Sequence, residues 1–376
     1  MRVTNSMLVN NLMRNLNTNF DKVDKLQNMM ASGRKFAHIS DDPIALIYSQ
    51  AARNKLARLE HYQAAVGSAK DWLDQAENGM MELQKVMADA YTACVDATHD
   101  GKTDGDKQNI AQVIGQLRDH FVDTLNAAFG DKYVYAAYNT PGDPAASFGD
   151  EGIKTFTVVG GKLHFNGFDL SVFDGMPAKL LTVDLSGLSY GEAVNAINAL
   201  GVNLGSLTHD DIIKLHTLKN EVLSFDVGPG INMPVTMNGI DMVLLTNINE
   251  NGDVVVRNAY NVLTDLYNGT NGDPNKDPPT TPLPASELTK LIKPLQDAQN
   301  HLLTKTAIIG GRVKRLELLE ARYEQDSINY QQMMSDAEDV DMAEVIMRLR
   351  IAESVMQSAM SAGARVIQPT LMDFLR

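Results

Sequence analysis

Cysteine is nearly absent from this chain. The single Cys94 in 376 residues excludes an internal disulfide, so stability owes nothing to cross-links. Aromatic residues are scarce as well, at 6% with one tryptophan, against 19 methionines. A chain that fills its seams with Met, Ala and Leu packs helix on helix. No apolar run approaches the roughly 20 residues that a membrane-spanning helix needs. Basic residues are in deficit, 33 Lys plus Arg against 47 Asp plus Glu, for a net charge of −14. Such a surface repels phosphate backbones and argues against a nucleic-acid partner. The opening MRVTNSMLVNNLMRN lacks both a basic segment followed by a continuous apolar stretch and a small-residue cleavage site. The sequence therefore predicts either a cytoplasmic protein or one exported without a cleaved signal. The length suggests two or three domains.

Motifs of catalysis are missing too. None of the eight histidines sits in an HExxH pattern. His209 and His216, with Asp210 and Asp211, form the most metal-like group, but solvated helix residues explain them better. The loop Asp100–Asp106 fails as a calcium loop, because Lys102 takes its third position and Ala111 falls where a bidentate glutamate is required. There is no GxxxxGK[ST] phosphate loop, and Gly228-Pro229-Gly230 reads as a turn between strands. Asn268-Gly269-Thr270 fits a glycosylation sequon of a kind frequent by chance. Cys94 lies on a helical seam and reads as a small core residue. The expectation is a protein without cofactor, metal or catalytic site, and not an enzyme.

Seven-residue periodicity is what the chain has in abundance. Leu59, Val66, Leu73, Met80, Met87 and Cys94 recur by seven, interleaved with Tyr62, Ala69, Ala76, Leu83 and Ala90. This is the a/d seam of one helix packed along another. It predicts a helix over roughly 45–98, about 80 Å long at 1.5 Å per residue. Leu288, Leu295, Leu302, Ile309, Leu316, Tyr323 and Tyr330 give the answering seam. Pro294 is expected to break or kink that helix, and Gly310 and Gly311 to weaken it by about 1 kcal/mol each. Further helices are expected near 106–129, with Ile110, Val113, Leu117, Phe121 and Leu125 inward, and near 257–267.

Both ends carry amphipathic stripes of their own. Val9, Leu16, Val23 and Met30 are seven apart, as are Met342, Leu349 and Met356, with Ala359 and Val366 on an adjacent row. Neither stripe can be buried by its own helix. The two are expected to pair with each other, with neighbouring subunits, or with both, and to be frayed in the monomer until assembly orders them. Gly33 reads as a helix C-terminal glycine, Arg34–Asp41 as a loop, Asp42 as an N-cap and Pro43 as a first-turn proline.

The middle changes character. Residues 156–165 read as two strands about Gly160-Gly161, Leu181–Leu185 and Val254–Val256 as further strands, and 190–200 and 209–218 as helices. Residues 268–284 read as a Pro/Gly/Asn linker. The expected fold is mainly α with an α+β insert: an elongated molecule whose N- and C-terminal helices pair into a coiled-coil-like rod and bundle. The expected domains are 1–42 with 337–376, 43–140 with 256–336, and the outer insert 141–255.

Several segments resemble the flagellin superfamily. Ser32-Gly33-Arg34-Lys35 followed by Ser40-Asp41-Asp42-Pro43-Ile44-Ala45 is similar to that family's junction between its first and second helices, and the run to Phe374-Leu375-Arg376 to its terminal segment. Tyr133-Val134-Tyr135-Ala136-Ala137-Tyr138-Asn139-Thr140 resembles the YxFAGYKT segment of the family's hook-associated branch, departing from it at Ala137. Gly311-Arg312 with Arg315-Leu316-Glu317 also fits that branch, whereas 171–222 matches nothing in it. The resemblance implies Gly33, Asp41, Asp42, Pro43, Tyr133, Tyr135 and Tyr138 as motif positions. It also implies an assembly interface on the terminal helices at Val9, Leu16, Val23, Met30, Met342, Leu349, Met356, Ala359, Val366 and Phe374. Its implied role is an extracellular adaptor ring of the bacterial flagellum, exported through the type III channel without a cleaved signal. The implied partners are the proximal hook-associated protein, flagellin, copies of itself and a cytosolic export chaperone. The alternatives are a filament flagellin or a secreted helical binding module.

Overall fold

The computed structural model describes residues 5–36, 41–99, 101–130, 132–136, 154–183, 185, 188–201, 208–248, 254–272 and 281–367. Ten α-helices are found among them. The longest are α2 (Pro43–Ala97) and α9 (Ala285–Glu338), of 55 and 54 residues. The outermost are α1 (Asn5–Ser32) and α10 (Met342–Ile367). The chain divides into two compact units, residues 1–61 with 321–376, and residues 62–320.

In the larger unit the heptad seams are core. Val66, Leu73, Met80, Met87 and Cys94 of α2 are buried, as are Leu288, Leu295, Leu302, Ile309 and Leu316 of α9. The two helices run antiparallel, with Gln84 donating to Thr306 Oγ1 at 2.6 Å and Lys70 paired with Glu320 at 3.2 Å. The Cys94 thiol, its pKa raised by burial to about 11, lies 3.6 Å from the Leu288 carbonyl. Helix α9 does not break at Pro294. One backbone hydrogen bond is forfeited there, but Leu288, Leu295 and Ala298 are buried on both sides of it, and that packing carries the helix through.

Helix α3 (Asp104–Leu125) starts from a reciprocal Thr103–Asp106 capping box and packs on α8 (Ala259–Asn271). It ends at Leu125, short of the expected 129, where the chain turns into the hairpin of β1 (Ala128–Phe129) and β2 (Lys132–Tyr133). Its buried stripe is Lys107, Ala111, Ile114, Phe121 and Leu125, and Val113 faces solvent. Expectation and structure share Phe121 and Leu125 but differ in phase over the first turns. There Lys107 is drawn inward, its ammonium donating to the Leu283 carbonyl at 3.0 Å.

The insert is built of small antiparallel sheets. Strands β3 (Phe156–Val159), β4 (Lys162–Phe165) and β5 (Phe168–Asp169) form one, with Gly160 and Gly161 at positive φ in the turn. Strands β6 (Ser224–Gly228) and β7 (Ile231–Pro234) form a hairpin across Pro229-Gly230, and β8 (Leu244–Ile248) pairs with β9 (Val254–Asn258). The expected strand over 181–185 is not formed. Residues 179–182 are a single helical turn, α4 (Lys179–Thr182). The carbonyls of Leu180 and Leu181 there accept from His216 and Lys219 of α6 (His209–Lys219), and among the described residues no strand pairs with this segment. Helices α5 (Tyr190–Ala199) and α7 (Ile240–Val243) complete the element order. The expected linker over 268–284 begins later, because α8 runs to Asn271 and buries Thr270 of the sequon.

Candidate assembly interface

The smaller unit holds the terminal helices, and they pair with each other: α1 packs along α10. Val23, Val345 and Leu349 are buried between them, Leu16, Met356 and Ala359 are half-buried, and Met30 and Met342 lie exposed at the edge. The side chains of Val9 and Val366, and Phe374 and Tyr138 entirely, lie outside the described residues. Gly363 allows the closest approach, since a Cβ there would stand 2.9 Å from Leu12 Cδ2.

Pairing does not exhaust the apolar surface. On α10, Ile351 (56% exposed) and Val355 flank the α1 seam, and Met347 (57% exposed) lies further round the helix. Met13 and Phe20 are exposed on α1. A groove of about 460 Å³ between the helices is floored by Leu26, Met29, Ile351, Ala352 and Val355 and rimmed by Lys22, Lys25 and Arg348. Apolar side chains left exposed in a contiguous row mark a contact surface. The heptad reading found the inward row and missed the outward one. Its signal was Met347, Ile351 and Val355, spaced by four.

The two chain reversals are fastened to each other. Gly33 closes α1 at φ 71°, a conformation that a side chain would strain. Its carbonyl accepts from Val340 at 3.0 Å, and Lys35 N–H donates to the Glu338 carbonyl at 2.7 Å. Asp42 caps α2, accepting from Ile44 and Ala45 at 3.1 and 3.0 Å, and Asp41 pairs with Lys25 at 2.9 Å. Beyond the cap, Ile44, Ile47 and Tyr48 stand exposed on one face of the first two turns, Ile47 at 67%.

Glu338 is the buried centre of this fastening. Its carboxylate accepts from Arg53 Nε and Nη2 at 2.8 and 2.6 Å and from the Ser49 hydroxyl, with Arg34 3.6 Å away. Burial pushes its pKa up, but the hydrogen bonds from Arg53 and Ser49 and the charges of Arg53 and Arg34 outweigh this and hold it below the usual carboxylate value. A carboxyl depressed in the fold stabilises above its unfolded pKa, and that contribution is lost as pH falls through the folded one. Glu338→Gln is therefore expected to cost about 1.5–3 kcal/mol at neutral pH. Wild type and variant should converge as pH falls below about 4.5. Urea unfolding at pH 7 and pH 3 measures both. A gap that persists undiminished at pH 3 would remove the carboxylate from this role.

Of the tyrosine motif, Tyr133 and Tyr135 are buried in the larger unit. The Tyr135 hydroxyl donates to the Ala76 carbonyl of α2 at 2.8 Å, and its own carbonyl accepts from Gly239 at 3.0 Å. Burial pushes its phenol pKa up. Tyr135 thus ties the segment around Gly239 to the helical core. His209 and His216 do not converge: the first meets Asn198 and the second the Leu180 carbonyl. Among the described residues there is no group of three metal-ligating side chains, and no helix is long and apolar enough to cross a membrane.

Residues 3–140 match the bacterial flagellin N-terminal helical region. The flagellin of Clostridium tyrobutyricum is 22% identical over 405 aligned positions, spanning 98% of this chain and all of that one. Flagellar hook-associated protein 3 of Escherichia coli is 25% identical over 145, spanning 38% of this chain and 46% of that protein. Among solved structures, a Vibrio parahaemolyticus chain assigned to the flagellar hook-associated proteins superposes with a TM-score of 0.53 at 15% identity, covering 80% of this chain and 100% of that one. Hook-associated protein 3 of Legionella pneumophila gives 0.50 at 9%, covering 76% and 97%. By that sequence match, residues 3–140 correspond to the flagellin N-terminal helical region, and the chain shares its fold with flagellar hook-associated proteins.

Proposed function

We propose that this chain is the structural adaptor of the bacterial hook–filament junction, assembled into a ring through its terminal helices. The observation that carries this reading is the α1–α10 pair, whose inward row is satisfied within the chain while Met347, Ile351 and Val355 are left uncovered. A row of that kind in a secreted structural protein calls for neighbouring subunits. The hook-associated relatives and the motif around Tyr133 and Tyr135 favour the junction. In this reading the partners are the proximal hook-associated protein below, flagellin above and further copies alongside, with a chaperone holding the chain before signal-less export. The outer domain is the 141–255 insert, and the terminal domain comprises 1–42 with 337–376. The end-to-end match to a flagellin supports a second reading, the filament subunit.

Immunogold electron microscopy with antibody against the insert separates them. A single narrow band between hook and filament is expected. Label along the whole filament would replace the adaptor with a flagellin, and gold absent from the flagellum would overturn both.

A further inference from the structure

Away from the core, the middle of α9 has an unusual surface. Its outward face carries Leu303, Ala307, Gly311, Lys314, Arg315 and Leu318, with Leu303 58% and Leu318 64% exposed. Glu317 at its edge pairs with Lys314 at 2.9 Å, so Arg315 carries the positive charge of this face, although the chain as a whole carries −14. Gly311 is unexplained by the fold, since a Cβ there would meet nothing within 4 Å. Glycine costs a helix about 1 kcal/mol relative to alanine. With Ala307 four residues before it, the position leaves a shallow place where another helix backbone can approach.

The face of α2 opposite its own core has the complementary character. Asp71, Asp74, Asn78, Met81, Lys85 and Asp89 lie along it, three carboxylates against one ammonium, with Met81 exposed at its centre. The two faces extend over similar lengths, about 22 and 27 Å at 1.5 Å per residue. They point away from the same core, so one chain cannot bring them together. A second copy can.

The geometry points to a contact between copies in which the basic, small-residue face of α9 in one chain seats against the acidic α2 face around Met81 in the next. Such a contact uses different surfaces on its two sides, so it propagates and closes into a ring only if the rotation per copy allows it. The charges set the register and make the contact salt-sensitive. The inference rests on the adaptor reading only in supposing that copies sit side by side.

The test is cross-linking in isolated flagella. Two differently tagged full-length chains are co-expressed, one Met81→Cys and the other Ala307→Cys, and treated with a short bis-maleimide. Native Cys94 is fully buried and serves as the silent background. The expected result is a two-tag product of twice the chain mass that needs both cysteines. It should fall at least tenfold with Arg315→Glu and return when Asp71→Lys is added to the partner copy. Flagella that contain both chains but yield no two-tag product would overturn the contact. So would a product joining two α9 cysteines, or one joining either cysteine to a different protein. The product reports contact between copies wherever they lie along the flagellum, so it is read independently of the immunogold position that tests the adaptor itself.

Discussion

Ile351→Asp is expected to leave the isolated chain as stable as wild type, within about 0.5 kcal/mol, and to abolish motility. The side chain is 56% exposed at the wall of the groove beside α1, among Lys22, Lys25 and Arg348, so a carboxylate there stays hydrated in the monomer. Once a neighbouring helix covers that wall, the same carboxylate is taken out of water, at a cost of several kcal/mol per contact. Leu349→Asp is the control with a different signature. Leu349 is 7% exposed within the α1–α10 pair, so its substitution destabilises the pair before any neighbour arrives. Met356→Asp, half-buried, falls between them. All three should leave the residue 62–320 unit folded. Hydrogen exchange of the isolated chain separates the cases: α1 and α10 amides lose protection in Leu349→Asp and keep wild-type rates in Ile351→Asp. A motile Ile351→Asp strain with normal flagella would show that the outward row is not an interface.

The contrast between those two residues shows what a heptad reading can and cannot reach. In α2 and α9 the seam positions have only one way to be buried, against each other, so Leu73, Met80, Leu302 and Ile309 were legible as core from spacing alone. On α10 the same method located Leu349 and missed Ile351, because seven-residue spacing selects the row against α1 while Ile351 lies on a row of four-residue spacing beside it. In α3 the spacing of Ile110, Val113 and Leu117 suggested a stripe, but α8 selects a different phase. Arg118 lies 5.0 Å over the Tyr267 ring and 6.0 Å from that of Tyr260, and the small Ala111 and Ile114 fit beneath. The 181–185 segment has strand-like composition, yet the carbonyls of Leu180 and Leu181 at its start are claimed by His216 and Lys219, a tertiary demand that no local propensity encodes. The Gly33 and Asp42-Pro43 punctuation was legible because each residue ends or starts its helix within four residues of chain. Glu338 was not, since its partners Ser49 and Arg53 lie nearly 300 residues away.

Gly79→Ala is expected to destabilise the larger unit by about 1–3 kcal/mol, although alanine is the better helix former by about 1 kcal/mol. The reason is Tyr135. A Cβ on residue 79 would overlap the tyrosine hydroxyl and lie 3.1 Å from its Cζ and 3.3 Å from Cε2. The ring occupies the place of the missing methyl, and its hydroxyl reaches the Ala76 carbonyl one turn earlier. A glycine in the middle of a 55-residue helix is thus the seat of the tyrosine that anchors the segment around Gly239. Relief is confined, since Tyr135 is fully buried and its carbonyl is held by Gly239. Tyr135→Phe alone should cost about 1 kcal/mol through the lost hydrogen bond. In the Gly79→Ala background the same change removes the worst overlap, so it should cost much less or stabilise. The double-mutant cycle is therefore expected to show coupling of at least about 0.5 kcal/mol in the sense of rescue. Urea unfolding of the four proteins measures it. Additive effects would mean that the ring moves aside freely, and Tyr135 would then be a packed core residue and not the anchor of that segment.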